Sequence, residues 1–425
     1  MKEIRYPSRS EWPKILARPV FDNTSLQAKV QLVLDRVRLE GDIAVAAFTE
    51  QFDGVKLEDL LVTEAEFIEA ASLIPDELKG AIQVAFENIR SFHATQLTQE
   101  QKIETMPGVT CWRKSIGIEK VGLYIPGGTA PLFSTILMLG IPSKLAGCQQ
   151  VILCSPPNKE GKLHPAILFA ARLVGIDKVF KIGGVQAIGA MAFGTESVPQ
   201  VYKIFGPGNQ YVTCAKQLIQ QQGIAIDMPA GPSEVCVLAD DSANAAFVAA
   251  DLLSQAEHGA DSQVLLVSTS EKLIAEVQKE LSIQLNKLSR KELAIKSLEN
   301  STAILISNIY EAIDLVNAYA AEHLIISCEQ AEKLSQSIIN AGSIFLGNYS
   351  PESVGDYASG TNHTLPTNGF ARAYSGVSVD SFVKKISFQQ LTQAGLVGLS
   401  KTVELMAMAE GLDAHANAVR VRLAK

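Results

Sequence analysis

From residue 115 onward the chain alternates short β-branched runs with amphipathic stretches, and this alternation limits the fold more than any other feature. Candidate strands are Lys120–Ile125, Gln150–Cys154, Lys178–Ile182, Val201–Phe205, Glu234–Leu238, Val264–Ser268, Ala303–Ile306 and Ser343–Leu346. Each is rich in Val, Ile or Phe and bounded by Gly, Pro, Asn or Asp, the pattern of a strand buried on both faces. Between them lie helical patterns: Pro131–Ala146, His164–Val174, Val185–Phe193, Asn209–Gln221, Ser242–His258, Glu271–Leu285, Tyr310–His323 and Glu329–Ile339. Strand–helix alternation predicts right-handed crossovers and parallel sheets. The expected fold class is α/β: two Rossmann-like domains with parallel sheets, one inserted in the other, plus small helical N- and C-terminal segments.

Two chain reversals suggest the boundaries. The segment 120–232 opens with IPGG and closes with MPAGP, both Pro/Gly turns, and holds four strands. We expect it to be an inserted Rossmann-like domain. Residues 21–119 and 233–378 would form the second α/β domain, 1–20 an N-terminal helical arm and 379–425 a C-terminal helical segment. The stretch Asn348–Gly369, NYSPESVGDYASGTNHTLPTNG, lacks periodicity. An unstructured connection of about 20 residues in a compact protein is usually functional or disordered.

Charge and composition remove several classes. With 37 Lys+Arg against 45 Asp+Glu, the chain carries a formal −8 and has no run of basic residues, which argues against a nucleic-acid partner. Its longest apolar stretch, Ala130 to Pro142, is broken by Ser134, Thr135 and Gly140 and falls short of the roughly 20 residues that cross a bilayer. The opening MKEIRYPSRSEW has no apolar core of a secretory signal. Six cysteines, with no CxxC pair, read as reduced thiols of a cytoplasmic protein.

The chain has six histidines. For His93 and His164, surface or capping roles suffice. His258, His323, His363 and His415 fall at element ends or in polar loops. Gln255 and His258 are three apart, so on one helix face they could address one ion. The pair alone is weak evidence for a metal, since glutamine is an uncommon ligand. Adding Asp356 and His415 would give two nitrogens and two oxygens, a set suited to Zn²⁺. Glu322 and His323 close a predicted helix, where a carboxylate and an imidazole could flank one substrate; a solvated helix end explains the same pair without chemistry. Three strand–glycine–helix junctions, YIPGGTAP, IGGVQAIG and IFGPGNQYV, point to a ligand along the carboxyl edge of the inserted sheet, although none is GxGxxG.

These motifs together resemble histidinol dehydrogenase. The likeness runs through YIPGGTAP, KIGGVQAIGAMAFGT, KIFGPGNQYV, IDMPAGPSEVCVLAD, LLSQAEHG, AEHL, VGDYASGTNHTLPT, AYSGVSV and AEGLDAHANAV, in the family's order. The resemblance implies a divalent ion, usually Zn²⁺, on Gln255, His258, Asp356 and His415. It implies acid–base catalysis by Glu322 and His323, and NAD contacts at Tyr124, Gln186 and Asn209. Substrate contacts map to Ser233, His363 and Glu410 together with Gln255, His258, His323, Asp356 and His415. The implied reaction takes L-histidinol through its aldehyde to L-histidine with two NAD, at the end of histidine biosynthesis. The family's homodimers share C-terminal segments, so Glu410 and His415 would serve the neighbouring subunit. A rival chemistry, aldehyde oxidation through a cysteine thiohemiacetal, finds no thiol in a polar, basic setting.

Overall fold

The computed structural model describes residues 1–18, 24–127, 131–229 and 231–424. Its strands in chain order are β1 (Lys2–Arg5), β2 (Lys102–Met106), β3 (Val109–Gly117), β4 (Lys120–Tyr124), β5 (Gln150–Ser155), β6 (Lys178–Lys181), β7 (Lys203–Phe205), β8 (Ala225–Ile226), β9 (Glu234–Ala239), β10 (Gln263–Ser268), β11 (Thr302–Leu305), β12 (His323–Ser327), β13 (Ser343–Leu346) and β14 (Val383–Leu391). A five-stranded parallel sheet has the order β6-β5-β4-β7-β8. A six-stranded parallel sheet has the order β1-β11-β10-β9-β12-β13. All eight strands read from the apolar runs lie in these two sheets, and the fold is α/β.

The five-stranded sheet is covered on both faces, as its continuous apolar strands require. One face packs against the helices Glu64–Leu73, Asp76–Ala94, Phe133–Leu145 and Pro165–Val174 through Phe67, Ile82, Ile89, Leu137 and Ile167. The other meets Thr24–Glu40, Asp42–Asp53, Gly184–Phe193 and Gln210–Gln220 through Leu34, Val37, Phe48, Ile188 and Ile219. Each such side chain contributes about 1.5–3 kcal/mol by leaving water. This packing corrects the expected grouping of 21–119 with 233–378, because the helices between 24 and 94 build the core of the 120–232 sheet. Periodicity identifies a helix's buried face but not the sheet that covers it.

The ends of the chain also differ from expectation. The predicted N-terminal arm begins with a strand, since β1 pairs in parallel with β11, followed by a short helix, Trp12–Ile15. The predicted C-terminal helical segment likewise opens with β14, which joins β3 and β2 in an antiparallel sheet, before the helices Gln393–Ala409 and Asp413–Leu423. The sequences KEIR and VKKISFQQL line exposed strands, and an exposed strand lacks the apolar run that betrays a buried one.

The third correction bears on chemistry. The helix predicted over Tyr310–His323 stops at Tyr319, where Ala320 turns left-handed at φ 56°. His323 is instead the first residue of β12, a central strand between β9 and β13. The stretch Asn348–Gly369 is also less irregular than expected, because Glu352–Tyr357 forms a helix. In the six-stranded sheet the chain winds β9, β10, β11 to one side and returns at β12 beside β9. The amino ends of β9 and β12 therefore lie together, with Val235 opposite His323 in the register.

Candidate active site

The site is built at those two amino ends. After β9 the helix Ala245–Ala256, capped by the Asn244 side chain, runs back along the sheet and delivers Gln255 in its last turn. His258 follows just past the helix end and is exposed. Asp356 comes from the helix Glu352–Tyr357.

His323, 3% exposed, is held from both sides. Its Nδ1 lies 3.1 Å from Gln255 Nε2, 3.3 Å from the Glu234 carbonyl oxygen and 3.6 Å from Glu322 Oε2. Its Nε2 lies 3.2 Å from Asp356 Oδ1. Burial disfavours the imidazolium, but the Glu322 and Asp356 carboxylates outweigh it and hold the pKa well above the usual value. Glu322 is itself fixed, because Oε2 accepts the Glu234 backbone N–H at 2.8 Å. Asp356 is largely desolvated, yet His323, His363 and His258 together keep its carboxyl below the ordinary range. That dependence brings His258 into the same electrostatic neighbourhood as Asp356.

His363 ties this cluster to the other sheet. Its Nδ1 donates to the Asp356 carbonyl at 2.8 Å, leaving Nε2 to accept from the Thr135 hydroxyl at 3.0 Å. Burial lowers its pKa, which agrees with a neutral ring bonded this way. Thr135 stands in the first turn of Phe133–Leu145, the helix that follows β4. A chain of polar contacts thus runs from the carboxyl edge of the five-stranded sheet to the amino ends of β9 and β12.

The remaining predicted residues fall in two groups. Tyr124 ends β4, is buried, accepts the Gly184 N–H at 3.1 Å and has its pKa pushed up to about 12 by burial. Gln186 is fully buried in the helix after β6, and Asn209 caps Gln210–Gln220 by accepting from Tyr211 and Val212. Ser233 immediately precedes β9. Glu410 and His415, by contrast, are exposed on the C-terminal helices, and within one chain no interaction among the described residues joins them to the cluster. Within one chain Gln255 and Asp356 lie against opposite ring nitrogens of His323 and the exposed His258 is near enough to influence Asp356, while no interaction joins His415 to them, and among the described residues no three His, Cys, Asp or Glu converge on an ion position.

A divalent ion fits what is assembled. Gln255 Oε1 is buried and has no hydrogen-bond partner, an arrangement that is costly unless the oxygen finds a ligand. Amide oxygen, carboxylate and imidazole form a donor set suited to a borderline divalent cation. Burial makes several thiols poor nucleophiles, pushing Cys148 to about 11 and Cys328 to about 12, with Cys236 higher still.

Several residues here escape periodicity. Glu234 opens the apolar strand VCVLA, and a carboxylate at the head of a buried run is a legible signal of an internal partner. That partner is Arg18, which bonds both Glu234 carboxylate oxygens. Glu352, 1% exposed, accepts from Ser254 at 2.6 Å and links the helices that carry Gln255 and Asp356. His93, assigned above to a surface or capping role, is fully buried against Gln96 and Asn362. His164 does cap its helix.

Two parallel α/β sheets are thus linked through His363 and Thr135 beside a buried Glu–His pair. At the level of fold alone the chain resembles an acetylating aldehyde dehydrogenase from Geobacillus thermoglucosidasius, with a TM-score of 0.50, 14% identity, and coverage of 91% of this chain and 95% of that one. The chain belongs to the histidinol dehydrogenase family, whose model matches residues 16–423, and it is an oxidoreductase. It is 61% identical over 423 residues to a histidinol dehydrogenase of Bacteroides thetaiotaomicron, covering 100% of this chain and 99% of that protein. The crystal structure of histidinol dehydrogenase from Elizabethkingia anophelis superposes with a TM-score of 0.98 at 53% identity, covering 100% and 98% of the two chains.

Proposed function

We propose that this protein oxidises L-histidinol through L-histidinal to L-histidine, the closing steps of histidine biosynthesis, with two molecules of NAD as hydride acceptors. The observation that carries the reading is His323, set between Glu322 and Asp356 beside the unpartnered Oε1 of Gln255. Gln255, His258 and Asp356, with His415 of a second copy, would hold Zn²⁺. Such an ion would supply a fixed positive anchor that positions the substrate. An ion on Asp356 would weaken that carboxylate's hold on the His323 proton and so favour the neutral imidazole that acts as base.

In the first oxidation His323 accepts the hydroxyl proton while hydride leaves the carbinol carbon for NAD. The aldehyde must then be hydrated, since only its gem-diol carries a second transferable hydride. Glu322 draws a proton from the attacking water, and His323, having released its first proton to solvent, accepts the diol proton as the second hydride departs. The balance is L-histidinol + 2 NAD⁺ + H₂O → L-histidine + 2 NADH + 3 H⁺. Ser233, His363 and Glu410 would contact the substrate, and Tyr124, Gln186 and Asn209 the coenzyme.

A homodimer suits this reading. One chain lacks the fourth ligand, while Ile386 and Phe388 of β14 and Leu405, Met406 and Met408 of the C-terminal helix are exposed. No helix among the described residues is long and apolar enough to cross a membrane, and the free cysteines suit the reducing cytoplasm. The test is NADH formation from L-histidinol with and without a strong chelator. Activity that chelation removes and Zn²⁺ restores supports the proposal; no NADH from the zinc-loaded protein overturns it.

A further inference from the structure

The five-stranded sheet reverses its winding between β4 and β7, and ligands of open parallel sheets bind in the crevice at that reversal. Tyr124 and the turn leading to Asn209 flank it. In most dinucleotide sites an acidic residue of the sheet takes the ribose 2′-hydroxyl. Here β5 is followed by Pro156, Pro157 and Asn158, none of them acidic. The acidic residues at that edge are otherwise disposed, because Asp227, just after β8, pairs with Lys216 and Glu160 is exposed in the turn after β5.

A carboxylate arrives from elsewhere. Asp53 is the last residue of the helix Asp42–Asp53, which packs on the five-stranded sheet, and its Oδ2 accepts a long hydrogen bond from Gln186 Nε2 at 3.4 Å. Gln186 is fully buried, and its Oε1 has no partner. Tyr124 shares the neighbourhood, since the Asp53 charge helps to raise its pKa. No Lys or Arg among the described residues forms an ion pair with Asp53, and burial pushes its own pKa up to about 6. The result is a desolvated carboxylate beside an orphaned amide oxygen: acceptors waiting for hydroxyl donors.

We propose that Asp53 accepts the adenosine ribose 2′-hydroxyl of the dinucleotide and so makes the protein select NAD over NADP. A vicinal diol donates two O–H groups to such a pair of acceptors. A 2′-phosphate offers acceptor oxygens and negative charge to a carboxylate that has no cation to share. The inference rests on the coenzyme reading above and adds the residue that discriminates.

The experiment measures direct binding of NAD and NADP to the zinc-loaded protein, together with KM for each coenzyme, in the native chain and in Asp53→Asn and Asp53→Ser. A hydroxyl bond to a carboxylate corresponds to about a 10- to 100-fold affinity change. NAD binding should weaken by that factor, NADP binding should strengthen, and kcat with NAD should stay close to native. Unchanged NAD affinity in both variants overturns the assignment. So does weakening of NAD and NADP by one common factor, the mark of a merely structural role. If the native protein binds neither coenzyme, the coenzyme reading itself has failed, a result distinct from native NAD binding that Asp53→Asn leaves intact. Asp53→Ser with a native melting temperature guards against misfolding of either variant.

Discussion

Arg18 gives the N-terminal segment a measurable task. Its guanidinium bonds both oxygens of Glu234, donates to the Tyr319 carbonyl at 2.8 Å and lies 4.2 Å from the Tyr319 ring centroid. The Arg18 and Glu234 side chains are only 13% and 4% exposed. Burial raises the Glu234 pKa more than Arg18 lowers it, so its charge is tolerated only because of that partner. Removing one member of a buried pair costs about 3–5 kcal/mol, since the other charge is left desolvated. Arg18→Met should therefore lose about that much in urea unfolding of metal-free protein at pH 8. The loss should shrink at pH 5, because a carboxyl whose folded pKa has risen further takes up a proton there and no longer needs the cation. Adding Glu234→Gln should recover about half of the deficit, since the amide still accepts from Asn368. A loss below about 1 kcal/mol, or one equal at both pH values, would refute the reasoning. Because the Glu234 N–H also fixes Glu322, Arg18→Met should lower kcat more than it raises KM for L-histidinol.

Three further outcomes are expected. His323→Ala should retain zinc by metal analysis while losing most of the first oxidation; zinc lost together with activity would make His323 a ligand. Glu322→Gln should slow oxidation of L-histidinal more than that of L-histidinol, and equal losses in separate assays would contradict its role in activating water. Burial pushes Asp251 to about 7 from the usual 3.8, so between those pH values the folded chain holds a proton that the unfolded chain has lost. Stability should fall as pH rises through that window, by about 1.4 kcal/mol per pH unit from this group, and Asp251→Asn should remove that share of the slope in urea titrations of metal-free protein.

How much of this could be read from the sequence depended on burial. Strands covered on both faces, such as VILC in β5 and VCVL in β9, declare themselves by composition, and all eight read that way are present. Strands β1, β3 and β14 are partly open to solvent and carry Lys, Arg and Gln, so local patterning does not separate them from loops. The segment AEHLIIS failed differently: helix periodicity runs smoothly into a strand, and only the left-handed turn at Ala320 separates them. At the site, sequence spacing paired Gln255 with His258, but nothing local announces that Asp356, about 100 residues on, returns to the same point. The family motifs supplied that set, and in the fold two of its members, Gln255 and Asp356, contact His323 from opposite sides. Arg18, Glu352 and Asp53 stayed hidden because each acts through a contact with a segment far away in the chain.

In the proposed dimer, His258 and His415 meet at one cation from different copies of the chain. Mixing purified His258→Ala and His415→Ala proteins under conditions that exchange subunits measures this directly. Each variant alone should be nearly inactive, and random hybrids, each with one intact site, should restore about a quarter of native NADH formation. Failure of any mixture to regain activity, with exchange verified by differently tagged subunits, would contradict the shared site.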